Sequence, residues 1–189
     1  MSDSAVQIFR AMAYNNGWAN HRLLSACEAL DDVAFTAPRI SFFPSLVATL
    51  NHILTVDWFY VDALEGGTLG HEAFADETPF KTAVELRPAQ RAVDDRLIAV
   101  CEGLDDAALE GEVRVHRGEQ VQVERRDRLL LHLFQHQIHH RGQAHAMLAG
   151  TDVAPPQLDE FFSVMDAPLR AEELGALGWT EERVWGSAR

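Results

Sequence analysis

The sequence predicts an all-α protein, a four-helix bundle with a small β-hairpin before its last long helix. Two observations carry this. Along four long segments apolar residues recur at spacings of three, four and seven, the signature of one buried helix face. The one stretch that changes to period two, Glu112 to Glu124, is short and contains a turn-forming glycine.

The first helix is expected from about Ser4 to Leu30, with Phe9, Met12, Ala19, Leu23, Cys27 and Leu30 on its inner face. Asp31-Asp32 and Pro38 end it, and a loop runs to Pro44. Pro44-Ser45 suits the first turn of a second helix carrying Leu50, Ile53, Val56, Tyr60 and Leu64, stopped by Gly66-Gly67. Thr68 to Leu86 reads as irregular. Pro88 then opens a third helix reaching Leu104, with Val93, Leu97 and Cys101 as its core stripe. In the hairpin, Val113 and Val115 alternate with polar residues, Arg117-Gly118 turns, and Val121 and Val123 alternate again. The fourth helix runs from about Arg125 to Ala149 and is closed by Gly150; Pro155-Pro156 forbids continuation. One or two short helices between Leu158 and Trp185 should pack over the bundle.

A chain of 189 residues suits one domain, and 47% hydrophobic with 24% charged residues is a globular balance. The formal charge of −13 repels polyphosphates, and the one basic cluster, Arg125-Arg126-Asp127-Arg128, is interrupted by an acid. Nucleic acid is therefore not an expected partner. No stretch approaches the ~18 apolar residues that span a bilayer, and Met1-Ser2-Asp3-Ser4 lacks a signal peptide's basic flank. Cys27 and Cys101 sit singly in apolar helix patterns and read as buried free thiols. The expectation is a cytoplasmic protein with no membrane contact.

Nine histidines point to chemistry, because five fall between His132 and His145. Residues four apart on a helix are offset by only about 40°, so His132, His136 and His140 form one stripe, with His139 beside it and His145 opposite. Leu129, Leu133 and Met147 share the stripe's side, which turns it toward the interior. A pair at i and i+4 can grip one metal ion, and a third ligand should come from a facing helix. His52 is the best candidate, since an unpaired histidine amid apolar residues in mid-helix is costly. The plain alternative is a set of satisfied core and surface histidines.

Several stretches resemble the DinB family of metal-dependent proteins. Tyr14, Asn15, Asn16, Gly17, Trp18, Ala19 and Asn20, followed by Leu23-Leu24, are similar to its opening motif, with one residue more before the tryptophan. Asn51-His52-Ile53-Leu54 with Asp57-Trp58 resembles its second-helix motif, and His136-Gln137-Ile138-His139-His140-Arg141-Gly142-Gln143 matches its H-x-x-H-H-R-G-Q signature. The resemblance covers about residues 5–165, leaving 166–189 as short helices or tail of one domain, 1–189. It implies a right-handed bundle, often a homodimer, and a divalent metal, zinc or nickel, on His52, His136 and His140.

His132 is expected to line the pocket or support a ligand without binding metal, and His139 to be a polar surface residue. Asp57 either orients a ligand imidazole or caps toward solvent. Arg141 and Gly142 read as structural, the arginine pairing with an acid on a neighbouring helix and the glycine allowing close helix approach. Trp18 and Trp58 read as core. The implied activity is hydrolysis, or transfer or isomerisation of a small-molecule substrate with a low-molecular-weight thiol; the alternative is a non-catalytic structural, sensing or interaction module. Spacing places no carboxylate as general acid or base, so the catalytic residues stay unassigned. Leu130, Leu131, Phe134, Ile138 and Leu148 form a second apolar face on the fourth helix. Either the C-terminal segment, with Phe161, Phe162 and Trp179, or a second copy of the chain must cover it.

Overall fold

The computed structural model describes residues 4–186. Residues 1–3, on which the expectation of no leader rests, and 187–189 lie outside the described residues. Four long helices dominate: α1 (Ser4–Cys27), α3 (Leu46–Leu64), α4 (Ala83–Glu102) and α6 (Arg126–Leu148). α1 packs against α4 and α6, and α3 against the same two, so the four close a ring around one apolar cluster. The cluster runs from Phe9 to Val184. No helix among the described residues is long and apolar enough to cross a membrane.

Local chemistry sets the boundaries. Ser45 is the N-cap of α3 and accepts from the Ala48 amide, so Pro44 precedes the helix rather than opening its first turn. α4 begins at Ala83, not Pro88: Thr82 and Glu85 form a reciprocal capping box that starts the helix five residues early. Pro88 then sits in the second turn, with no N–H to offer the Val84 carbonyl. Two short helices were not expected, α2 (Asp32–Thr36) inside the predicted loop and α5 (Asp106–Glu110) before the hairpin. Each is capped by the aspartate before it, Asp31 and Asp105. The segment from Thr68 to Leu86 is likewise not wholly irregular, since a 3₁₀ turn spans Gly70–Phe74.

The hairpin forms as expected, β1 (Glu112–Arg117) pairing antiparallel with β2 (Gln120–Arg125), and Gly118 turns with φ 66°. Val113 and Val115 are buried, whereas Val121 and Val123 face outward. The C-terminal segment carries α7 (Ala167–Leu177) and α8 (Glu181–Trp185). It lies against α1, with Phe161 on Trp18 and Trp179 edge-on to Tyr14. Arg22 of α1 anchors it through Glu160 and Glu173. Cys27 and Cys101 are buried free thiols.

The second apolar face of α6 is partly closed from within. Leu130, Phe134 and Leu148 are buried, Phe134 stacking on Phe9 of α1, whereas Leu131 and Ile138 remain exposed.

Candidate metal centre

Packing of α3 on α6 brings His52 against His136 and His140. One nitrogen from each lies within 4.8 Å of the others, and the group contains no acid or cysteine among the described residues. His52 Nε2 and His136 Nε2 are 3.0 Å apart. Two imidazole ligands on one tetrahedral ion at ~2.05 Å would stand ~3.3 Å apart, so this spacing is close to that of a bound pair. His140 Nδ1 is 2.9 Å from Gln143 Oε1; a proton on Nδ1 makes this a hydrogen bond and leaves Nε2 to bind. Gln143 in turn donates to His139 Nε2, so the exposed His139 steadies the ligand's partner.

Burial and its neighbours make these rings poor bases. His52 is lowered to about 4 by burial and by His140, and His136 to about 3 by burial and then by the surrounding imidazoles. Burial also lowers His140. At neutral pH all three are uncharged, which is the ligating form. His136 Nδ1 is buried without a partner, so this ring lacks the outer acceptor that metal-bound imidazoles commonly have.

A lip of loop covers one side of the cluster. The Arg39 amide donates to the Pro44 carbonyl at 2.7 Å, closing a compact turn that presents Ile40, Phe42 and Phe43. The Phe43 ring lies 4.3 Å from that of His52 and 5.6 Å from that of His140. Phe43 carries no signal in the sequence, whereas Gln143 does: it closes the signature and lies three residues after His140 on the same stripe. His132 stands at the rim. It is exposed, its ring 6.5 Å from that of His136 and edge-on to Tyr60, outside the three-histidine group.

Asp57 does neither of the things expected of it. It is 1% exposed and touches no histidine: Gln90 Nε2 donates to Oδ2 at 2.7 Å, and Gln137 Nε2 donates to Oδ1. It belongs to a buried polar layer with one or two residues from every long helix. In that layer Asp94 accepts from Asn16 (3.1 Å), Asn20 (2.9 Å) and Gln90 (3.2 Å). Arg141, 4% exposed, donates to Asn16, Asn20 and Gln137. The arginine thus reaches its acids through amides and not through the direct ion pair expected. Gly142 has nothing within 4 Å of where a Cβ would stand, so it mediates no close approach. Gly17 does: a Cβ there would lie 2.9 Å from Trp179 and 3.4 Å from Asp94. Trp18 is fully buried and Trp58 packs against the core, as expected. His145, on the opposite side of α6, bonds the Pro156 carbonyl at 2.9 Å.

The group of three neutral imidazoles could hold a divalent metal ion. The sequence model of the DinB family matches residues 1–172 of the 189. No curated protein matches the chain.

Proposed function

The chain belongs to the DinB family, and on that premise we propose that it is a metal-dependent enzyme using His52, His136 and His140 as the ligands of one divalent ion. The reaction class is hydrolysis, or transfer or isomerisation with a low-molecular-weight thiol. The observation that carries this is the convergence of three neutral imidazoles with no fourth protein ligand in the group, the donor set of sites that keep a position open. Zinc and nickel both suit imidazole donors. Such an ion, when bound, lowers the pKa of water toward ~7 or holds a thiol as thiolate. Gln143 orients the His140 ring, and the Phe43 ring packs on that of His52. A cytoplasmic location belongs to the same reading, with which two buried reduced thiols agree. The non-catalytic module remains the second reading, favoured by the engagement of Asp57 and Asp94 elsewhere, which leaves neither to act as general base.

Metal analysis of purified protein tests the assignment. The wild type and His145→Ala should carry metal stoichiometrically, and His52→Ala, His136→Ala and His140→Ala should each lose it. Full retention in any of those three overturns the ligand set. A chelator-stripped protein that still melts cooperatively yet no longer binds a thiol would separate the catalytic from the structural reading.

We also propose that the chain self-associates as a homodimer. Leu131 (60% exposed) and Ile138 (48%) on α6 and Ile8 (61%) on α1 support this as uncovered apolar surface. Sedimentation equilibrium should give twice the chain mass at tens of micromolar, and the single chain mass would refute it.

A further inference from the structure

Beyond the three-histidine cluster, the stripe that carries it continues along α6 through Gln143 and Met147 into a groove. This groove, of about 350 Å³, is lined by Arg39, Ile40, Ser41, Gln143, Ala146, Met147 and Gly150. Its near end is the residue that bonds His140, and its outer wall is the loop whose Phe42 and Phe43 stand over the cluster. The groove begins at Gln143, one turn past His140, and reaches Met147, ~10 Å from His140 along the helix. Its lip is apolar and open to solvent, with Ile40 and Phe42 largely exposed.

Arg39 gives the far wall its character. Nη1 donates to the Ala37 carbonyl at 3.0 Å and Nη2 to the Ala34 carbonyl at 2.7 Å. That leaves three of five guanidinium N–H groups uncommitted. In a chain with 29 acids against 16 bases, nine arginines of the described residues form ion pairs, and Arg39 is not among them. Backbone carbonyls hold it in place beside a groove, and no described carboxylate stands within ion-pair distance, the nearest cavity-sharing acids being Asp31 and Asp152 on its other side. The negative end of the α6 dipole also reaches this groove at Gly150, but a full guanidinium charge outweighs the roughly half charge of a helix terminus.

We propose that this groove is the substrate subsite of the metal centre, and that it takes a small, extended monoacid or diacid. One end of the ligand meets the metal position, an apolar middle lies against Ile40 and Met147, and a carboxylate at the far wall is bound by Arg39. The proposal rests on the metal reading above and adds the charge and length of the ligand.

Calorimetry of the zinc-loaded protein with two probes of equal length tests it. 6-Mercaptohexanoate should bind about tenfold more tightly than 6-mercaptohexanol, the worth of one charge-assisted hydrogen bond. Arg39→Gln should abolish that preference while leaving the alcohol's affinity unchanged, and Arg39→Lys should keep it. Ala146→Phe, on an exposed groove position, should weaken both probes without touching Arg39's backbone contacts, and so serves if Arg39→Gln fails to fold. Equal affinity for the two probes in wild type overturns the subsite while sparing the metal reading. Failure of both thiols to bind the zinc-loaded protein overturns the thiol-binding reading of the metal centre on which the subsite rests.

Discussion

Arg141→Met should destabilise the protein by about 3–5 kcal/mol at pH 8, the cost of leaving a buried charge without its partner. Against a typical total of 5–15 kcal/mol, that is enough to depopulate the native state at moderate temperature. The guanidinium is fully buried, and burial lowers it to about 10 against the pull of Asp94 and Asp57. It contacts Asn16, Asn20 and Gln137, whose other ends serve those same carboxylates. Removing it strands an ionised Asp94 and orphans three amide oxygens together. Urea unfolding reads the loss, and the double variant Asp94→Asn with Arg141→Met should recover part of it, because the two changes share one network. Simple additivity of the two single effects would show that the layer is not coupled.

The second large effect is on the pH dependence of stability. Burial raises Asp94 to about 7, against hydrogen bonds from Asn20 and Gln90 that favour its charge. An acid raised in the folded state binds its proton more tightly there than in the unfolded chain. Its contribution to stability is therefore complete at low pH and is lost as pH rises from the unfolded value near 4 through about 7. Asp57, raised well above its ordinary value by burial and by Asp94, acts with the same sign. Its proton has a natural acceptor: Gln90 Oε1 is buried without a partner, and exchanging the amide's ends would turn it to Asp57. His52 and His136, lowered in the fold, act oppositely, destabilising the protein as pH falls below 6.5. The comparison with Asp94→Asn isolates the carboxylate. Between pH 5 and pH 8 the wild type should lose about 2–3 kcal/mol relative to the variant. A difference that stays flat across that range would mean Asp94 is ionised throughout.

What could be read from sequence was what repeats along one helix. The His132–His136–His140 stripe follows from 3.6 residues per turn, and His52 stands out as a basic residue in an apolar run. Contacts between helices leave no such trace. Along the sequence Asp57 has only its helix neighbour His52 to suggest a partner, whereas its partners Gln90 and Gln137 come from α4 and α6. Asp94, next to Asp95, looks like part of a solvated face, although Gln90, Asp94, Leu97 and Cys101 keep the four-three-four spacing of an inner stripe and all are buried. Pro88 reads as a helix start because proline favours first turns, but the capping box at Thr82 acts earlier. The five-residue helices α2 and α5 are too short to show a period, and only their aspartate caps announce them.

The four-helix polar layer also bears on transplanting the site. Grafting His136 to Gln143 onto another scaffold, with a histidine opposite, would reproduce the imidazole spacing and import Arg141 with it. A recipient without equivalents of Asn16, Asn20 and Asp94 would receive a guanidinium aimed into its interior with nothing to meet it. The smallest portable unit is thus a cross-section through all four helices, not the histidines alone. A designer who copied only the helix carrying the signature would do better to replace that arginine with a residue of apolar character.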